Sequence, residues 1–258
     1  DDISTFVLDA RLELRLATST YGRDGAMAIL KWDGSRFDEI MTVGPDDALV
    51  TSPLHFTRSG DAWHLRSSIG RDKAALYRID WATNAQRLVA ASDEADICDW
   101  LVDQRTGEIS AVCAEYVRSA WIPIDPDVGC DMARLELELD ANIEIVSQSD
   151  DDALWVVCAH RPERADSWRL FDRRTGRIEF LFAARPELDG ATLSPMRDFV
   201  INARDGLKLV SYLTLPPMQS DFPPSRPLPM VLKVHGGPWG RDSYGYNREV
   251  QWLANRGY

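Results

Sequence analysis

Cysteine is scarce in this chain: four in 258 residues, at positions 98, 113, 130 and 158, with no C-x-x-C pair. That is too few for a disulfide-stapled scaffold. Cys113 and Cys158 lie in the apolar runs Ala-Val-Cys-Ala and Val-Val-Cys-Ala, which predicts buried, reduced thiols. Positive charge is also short, 29 Lys+Arg against 41 Asp+Glu for a net charge of −12. Such a surface repels phosphates, which argues against a nucleic acid or an anionic membrane as partner. No apolar run approaches the ~20 residues of a membrane span. A G-x-S-x-G nucleophile elbow is missing too, since Gly240-Arg-Asp-Ser-Tyr-Gly245 has the wrong spacing. His55, His64 and His160 are scattered without metal-ligand spacing and are expected to be core or surface residues, so no metal and no cofactor is expected.

What is present is ample apolar material, 45% of residues, enough for one large or two modest domains with a real core. The chain opens at Asp1 without Met or a basic-then-apolar leader, and stops one residue after Gly257, which has the look of a helix cap. It is expected to be a piece of a longer protein. Charge and texture both change near Leu193–Arg197. Residues 196–258 hold 8 Lys+Arg and 5 Asp+Glu, net +3, leaving 21 and 36, net −15, for the first 195. Two domains are expected, 1–195 and 196–258.

Residues 1–195 are short alternating runs broken by polar turns, the mark of antiparallel strands. Four segments share one plan: an alternating strand ending at Asp, a turn, and a partner strand. They are Ala28–Asp33, Ala75–Asp80, Arg134–Asp140 and Ser167–Asp172, with partners Asp38–Val43, Arg87–Ala91, Ile143–Ser147 and Arg177–Phe182. The Asp residues fall 47, 60 and 32 positions apart, averaging near one propeller blade. Asp103-Gln-Arg-Thr-Gly107 and Asp172-Arg-Arg-Thr-Gly176 are typical hairpin connectors. Leu12–Leu16 and Leu135–Leu139 alternate strictly and are expected to be strands. About four blades fit at roughly 45 residues each, so the expected fold is mainly β: a partial β-propeller, followed by the beginning of an α/β domain. A β-sandwich is the plainer alternative.

The α/β signal begins at Leu207–Leu215, an alternating strand. Pro216–Pro229 then holds six prolines in 14 residues and must be a surface connection. Pro229–His235 is a short, mostly apolar run of the kind buried on both faces of an α/β sheet. The loop Gly236-Gly-Pro-Trp-Gly240 follows, and then a helix from cap Asn247 through Arg256, with Val250, Leu253 and Ala254 on one face and Gly257 as its C′ residue. A glycine loop after an inner strand is where hydrolases of this architecture place a backbone N–H aimed at the oxyanion of an attacked carbonyl.

The wider string Val231-Leu-Lys-Val-His-Gly-Gly-Pro-Trp-Gly-Arg-Asp-Ser-Tyr-Gly-Tyr-Asn247, continuing at Gln251-Trp-Leu-Ala-Asn-Arg-Gly-Tyr258, resembles the prolyl oligopeptidase family of serine peptidases, nearest its acylaminoacyl-peptidase and dipeptidyl-peptidase-like bacterial branch. The resemblance is strong over 197–258. Over 1–195 it rests on blade pattern and domain order. It implies a propeller ahead of an α/β-hydrolase domain, short peptide substrates, and an oxyanion contact from the backbone N–H of Gly237, in a loop with His235, Gly236, Pro238 and Trp239. It also implies that the Ser, Asp and His of the triad all lie beyond Tyr258, so the chain alone is expected to be inactive. In two branches of the family a Tyr at the position of His235 donates to the oxyanion as well. His235 lacks that hydroxyl and is not given the role.

Other candidates weigh less. Asp125-Pro-Asp-Val-Gly-Cys-Asp131 lacks the terminal Glu of a calcium loop and is read as a turn between blades. Ser149-Asp-Asp-Asp152 is read as a solvated turn. Trp63, Trp81, Trp100, Trp121, Trp155 and Trp168 stand near strand ends as packing residues. Glu115 and Arg118 are candidates for holding a peptide terminus, against a solvated strand edge. Three functions fit: a serine peptidase, a carboxylesterase-type hydrolase, and a non-catalytic propeller that binds a partner. The blade pattern and the Pro-Trp extension of the loop favour the first.

Overall fold

A computed structural model describes residues 3–21, 24–219 and 222–258. The chain forms two compact units, Asp1–Glu115 with Trp121–Val128, and Tyr116–Ala120 with Gly129–Tyr258. Its strands pair in chain order. One four-stranded antiparallel sheet runs β1 (Ile3–Leu8), β2 (Leu14–Tyr21), β3 (Ala26–Trp32), β4 (Phe37–Val43). After a single helical turn, α1 (Pro45–Ala48), a second runs β5 (Ser52–Phe56), β6 (Ala62–Ser67), β7 (Ala75–Asp80), β8 (Gln86–Ala90). A three-stranded sheet of β9 (Ile97–Val102), β10 (Ile109–Glu115) and β11 (Ser119–Pro123) precedes α2 (Pro126–Leu139). The fourth sheet runs β12 (Asn142–Gln148), β13 (Leu154–Arg161), β14 (Arg164–Asp172), β15 (Arg177–Ala183). A two-stranded ribbon, β16 (Met196–Asn202) with β17 (Lys208–Thr214), and the helix α3 (Arg248–Ala254) complete the elements. Successive four-stranded meanders are the blade plan of a propeller. Among the described residues no helix is long and apolar enough to cross a membrane.

The first unit packs sheet against sheet. Leu16, Ile29 and Val43 of the first sheet join Phe56, Trp63, Leu65 and Ile79 of the second in one buried cluster. Leu76, on the other face of β7, joins Ile97, Ile109 and Val112 of the third. Burying each such side chain contributes about 1.5–3 kcal/mol. The turns do what their sequences foretold. In Asp103–Gly107 the Asp103 side chain accepts from the Arg105 N–H, the Gly107 N–H donates to the Asp103 carbonyl at 2.8 Å, and Gly107 sits at φ +74°. A Cβ there would lie 2.7 Å from the Arg58 backbone nitrogen, so the position admits only glycine.

Three of the four Asp anchors close the third strand of a sheet: Asp33 follows β3, and Asp80 and Asp172 end β7 and β14. The fourth expectation fails. Arg134–Asp140 is not a strand; residues 134–139 are the end of α2, and Ile143–Ser147 opens the fourth sheet instead of completing a hairpin. Leu137 of the alternating run is 82% exposed, whereas Val128, Met132 and Leu135, spaced i, i+4, i+7, are buried. The reason for the helix lies upstream. The Asp125 carboxylate accepts from the N–H groups of Asp127 and Val128, and Pro126 fills the first helical position. Asp125–Asp131 is therefore a helix start, neither a calcium loop nor a plain turn.

Two further readings are corrected. Leu12 lies outside β2, in a turn at φ +63°, where Asp9 accepts from the Arg11 and Glu13 N–H groups. The Ser149–Asp152 turn is solvated only in part. Asp152 is buried, accepts from Trp155 Nε1 at 2.8 Å and Gln148 Nε2 at 2.7 Å, and pairs with Arg173. Pro229–His235 pairs with no strand, and Met230, Val231, Leu232 and Val234 are exposed. An inner strand needs neighbours on both edges and cover on both faces, and among the described residues neither is supplied.

Candidate functional site

The loop at 235–240 is built by its glycines. Gly237 stands at φ +143°, and a Cβ on it would lie 2.6 Å from the Trp239 nitrogen. A Cβ on Gly240 would lie 2.4 Å from the Gly236 carbonyl oxygen. The backbone thus folds back on itself more tightly than any side chain allows. His235 turns its ring along the loop, Nδ1 donating to the Gly236 carbonyl at 2.9 Å. All of His235–Gly240 is exposed, Trp239 by 82%.

The segment after the loop is held in place by its own unit. Arg241 donates to the Tyr116 carbonyl at 2.7 Å, and the Tyr212 hydroxyl donates to the Val117 carbonyl at 2.6 Å. Arg118 sends both Nε (3.0 Å) and Nη2 (2.5 Å) to Asp198 Oδ1 and lies over the Tyr244 ring, 4.0 Å from its centre. Its fork is therefore occupied by Asp198, which leaves less of it for a peptide carboxylate. Glu115 closes β10, half-buried. The helix that follows begins as its sequence predicts: Asn247 accepts from the Glu249 and Val250 N–H groups. It ends at Ala254, before the expected Arg256, with Gly257 at φ +91°. Its anchor is Gln251, buried, which accepts from the Ser194 N–H and donates to the carbonyls of Ser194 and Pro162.

The histidines are less scattered in space than in sequence. His64 of β6 is buried against His55, ring centres 4.8 Å apart. Burial pushes its imidazole down to about 3, helped by the charges of His55, Arg78 and Arg87. His160 of β13 stands between two carboxylates, Asp166 Oδ1 at 3.0 Å from Nδ1 and Glu144 Oε2 at 3.1 Å from Nε2. The buried Cys158 thiol is beside it. Nothing in the spacing of 144, 158, 160 and 166 announces this cluster, because its members come from three strands. As expected, all four cysteines are free, with Cys113 and Cys158 buried.

No protein-family model matches the chain. It is 36% identical over 259 residues to dipeptidyl aminopeptidase BIII of Pseudoxanthomonas mexicana, and 28% identical over 283 residues to dipeptidyl peptidase family member 6 of Caenorhabditis elegans. Each match takes in 99% of this chain and 38% of the relative, so the chain spans little more than a third of their length. Among solved structures, a puromycin-hydrolyzing peptidase of Mycobacterium tuberculosis superposes with a TM-score of 0.68 at 18% identity, over all of this chain and 40% of that one. The fold of sequential antiparallel sheets is thus that of the propeller in such proteins. The blade order and the near-complete match to a dipeptidyl aminopeptidase agree with the resemblance of the glycine loop, and along its length the chain is similar to a part of peptidases of the prolyl oligopeptidase family.

Proposed function

We propose that the full-length protein is a serine peptidase that hydrolyses short peptides, of aminopeptidase or oligopeptidase type. The observation that carries this reading is the 36% identity, along 99% of the chain, to a protein named dipeptidyl aminopeptidase. Residues 1–195 are then propeller blades that restrict entry to small substrates, and 196–258 begin the hydrolase domain. The chain contains no G-x-S-x-G elbow, and the family resemblance implies that the nucleophile and its His and Asp lie outside these residues. The serine oxygen attacks the scissile carbonyl, the amide C–N bond breaks, and the amine leaves with a proton. Water then hydrolyses the acyl-serine ester. The role of this chain is electrostatic: the Gly237 N–H donates to the oxyanion that forms on the carbonyl oxygen. The exposure of the loop and the tight turn that only glycine permits at 237, where a Cβ would meet the Trp239 and Gly240 nitrogens, support that assignment. In the same reading the exposed run 230–234 is an inner strand that the rest of the hydrolase sheet covers.

The test uses the full-length gene product. It is expected to gain the mass of one fluorophosphonate probe and to release amine from an aminoacyl or dipeptidyl amide. Gly237→Ala is expected to lower kcat on the order of 10²-fold while leaving probe labelling at the same serine detectable. Hydrolysis of simple esters with no amide cleavage would make it an esterase. A product with no reactive serine would overturn the enzymatic reading and leave the propeller as a binding module.

A further inference from the structure

Three strands of the fourth sheet bring Glu144, Cys158, His160 and Asp166 to one face. Glu144 of β12 stands directly opposite Cys158 of β13. Cys158 and His160 are two residues apart on β13 and so point to the same side of the sheet. Asp166 reaches them from β14 through an irregularity in register. Ala159 pairs with Ser167 and Arg161 with Arg164, so Ala165 and Asp166 together oppose the single residue His160. Such a bulge re-aims a side chain and persists where that aim is used. The Cys158 sulfur, a His160 ring nitrogen and an Asp166 oxygen all lie within 4.8 Å of one another. Cys158 is buried, whereas the side chains of His160 and Asp166 are 29% and 34% exposed, which opens a path from solvent on their side.

We propose that Cys158, His160 and Asp166 bind a zinc ion through Sγ, Nδ1 and a carboxylate oxygen, with Glu144 as the positioning residue that accepts the Nε2–H. A thiolate, an imidazole and a carboxylate are zinc's usual donors, and three of them leave a fourth tetrahedral position for water. In a tetrahedral shell with zinc bonds of about 2.0–2.3 Å, ligand atoms stand roughly 3.3–3.8 Å apart. The 3.0 Å pair would open slightly and the longest separation would close by about 1 Å, within reach of a small χ adjustment. Glu144 completes a carboxylate–histidine–metal arrangement, which fixes the tautomer and orientation of the ring. Binding releases the thiol proton and any proton on Nδ1. The ion would tie β13 to β14 at the bulge, independently of any peptidase chemistry.

Cobalt(II) titration of the metal-stripped full-length protein tests this without an activity readout. The wild type is expected to develop a near-ultraviolet thiolate-to-metal charge-transfer band at one equivalent, bleached by zinc. Cys158→Ser is expected to lose the band, and Cys130→Ser, which removes an exposed thiol elsewhere, to keep it. Glu144→Gln is expected to weaken binding about 10–100-fold. Absence of the band in the wild type, or its persistence in Cys158→Ser, would overturn the proposal and leave the cluster as an ion pair beside a buried thiol. Absence of the wild-type band overturns the proposal whether or not the variants fold, and Cys158→Ala, which keeps the buried position apolar, takes the place of Cys158→Ser if that variant fails to fold.

Discussion

His64 shows how one side chain sets a pH limit on the fold. It is fully buried in β6, 3.4 Å from Glu108 Oε2 but without a hydrogen bond to it, and faces His55, Arg78 and Arg87. Its folded pKa, about 3, lies below the unfolded value near 6.5, so the unfolded state binds a proton that the folded state refuses. Stability contributed by the neutral ring is fully present above pH 6.5 and is lost as pH falls toward 3, with a slope of at most about 1.4 kcal/mol per pH unit. Urea midpoints measured from pH 7 to pH 4 are expected to fall in the wild type and to fall less steeply in His64→Gln. Parallel profiles would show that the ring titrates normally. Asp152 makes the same point about environment: three consecutive Asp residues look alike in sequence, yet the third is buried among Trp155, Gln148 and Arg173.

At the scale of elements, α3 is short and depends on one residue. Gln251 satisfies both backbone groups of Ser194 and the Pro162 carbonyl, all inside one unit. Gln251→Leu leaves those groups buried and unpaired, at about 1–3 kcal/mol each before relaxation. Amide hydrogen exchange at Ser194 and along α3 is expected to accelerate at least tenfold in this variant, and unchanged protection would show that the contacts carry no weight. The strands, hairpin turns and Asn247 cap were legible because each is written locally, in alternation, in Asp…Gly spacing, or in one capping side chain. What misled was α2, where Leu135-Glu-Leu-Glu-Leu satisfies a strand period while the capping signal sits ten residues earlier, at Asp125-Pro126. The Cys158–His160–Asp166 cluster was illegible for a different reason. Its geometry depends on strand register and a bulge, which no spacing along the chain encodes.

For the whole molecule, exposed apolar surface is the dominant fact. Met230, Leu232 and Val234 are each more than 70% exposed, next to a loop bearing the exposed Trp239. Contiguous apolar surface of this kind draws partners. The 258-residue chain on its own is expected to gain apparent mass with concentration in gel filtration. The double variant Leu232→Asp, Val234→Lys is expected to stay monomeric. A wild-type chain that runs as a monomer at every concentration would show that the run is covered in solution. The blade order was readable from anchors such as Asp33, Asp80 and Asp172, whereas the environment of 229–235 was not, because burial depends on what surrounds a segment as much as on its residues.

The sheets share one further property: each is made of strands consecutive in the chain. A sheet of this kind needs nothing from later in the sequence to find its register, so its contacts are short-range and close quickly. During synthesis each meander can therefore set its own pairing as soon as its last strand clears the ribosome, ahead of the next. A translational pause once Val43 or Ala90 has emerged from the ribosome would leave a finished sheet waiting, with its outer face ready for the following one, instead of a half-formed sheet with an open edge.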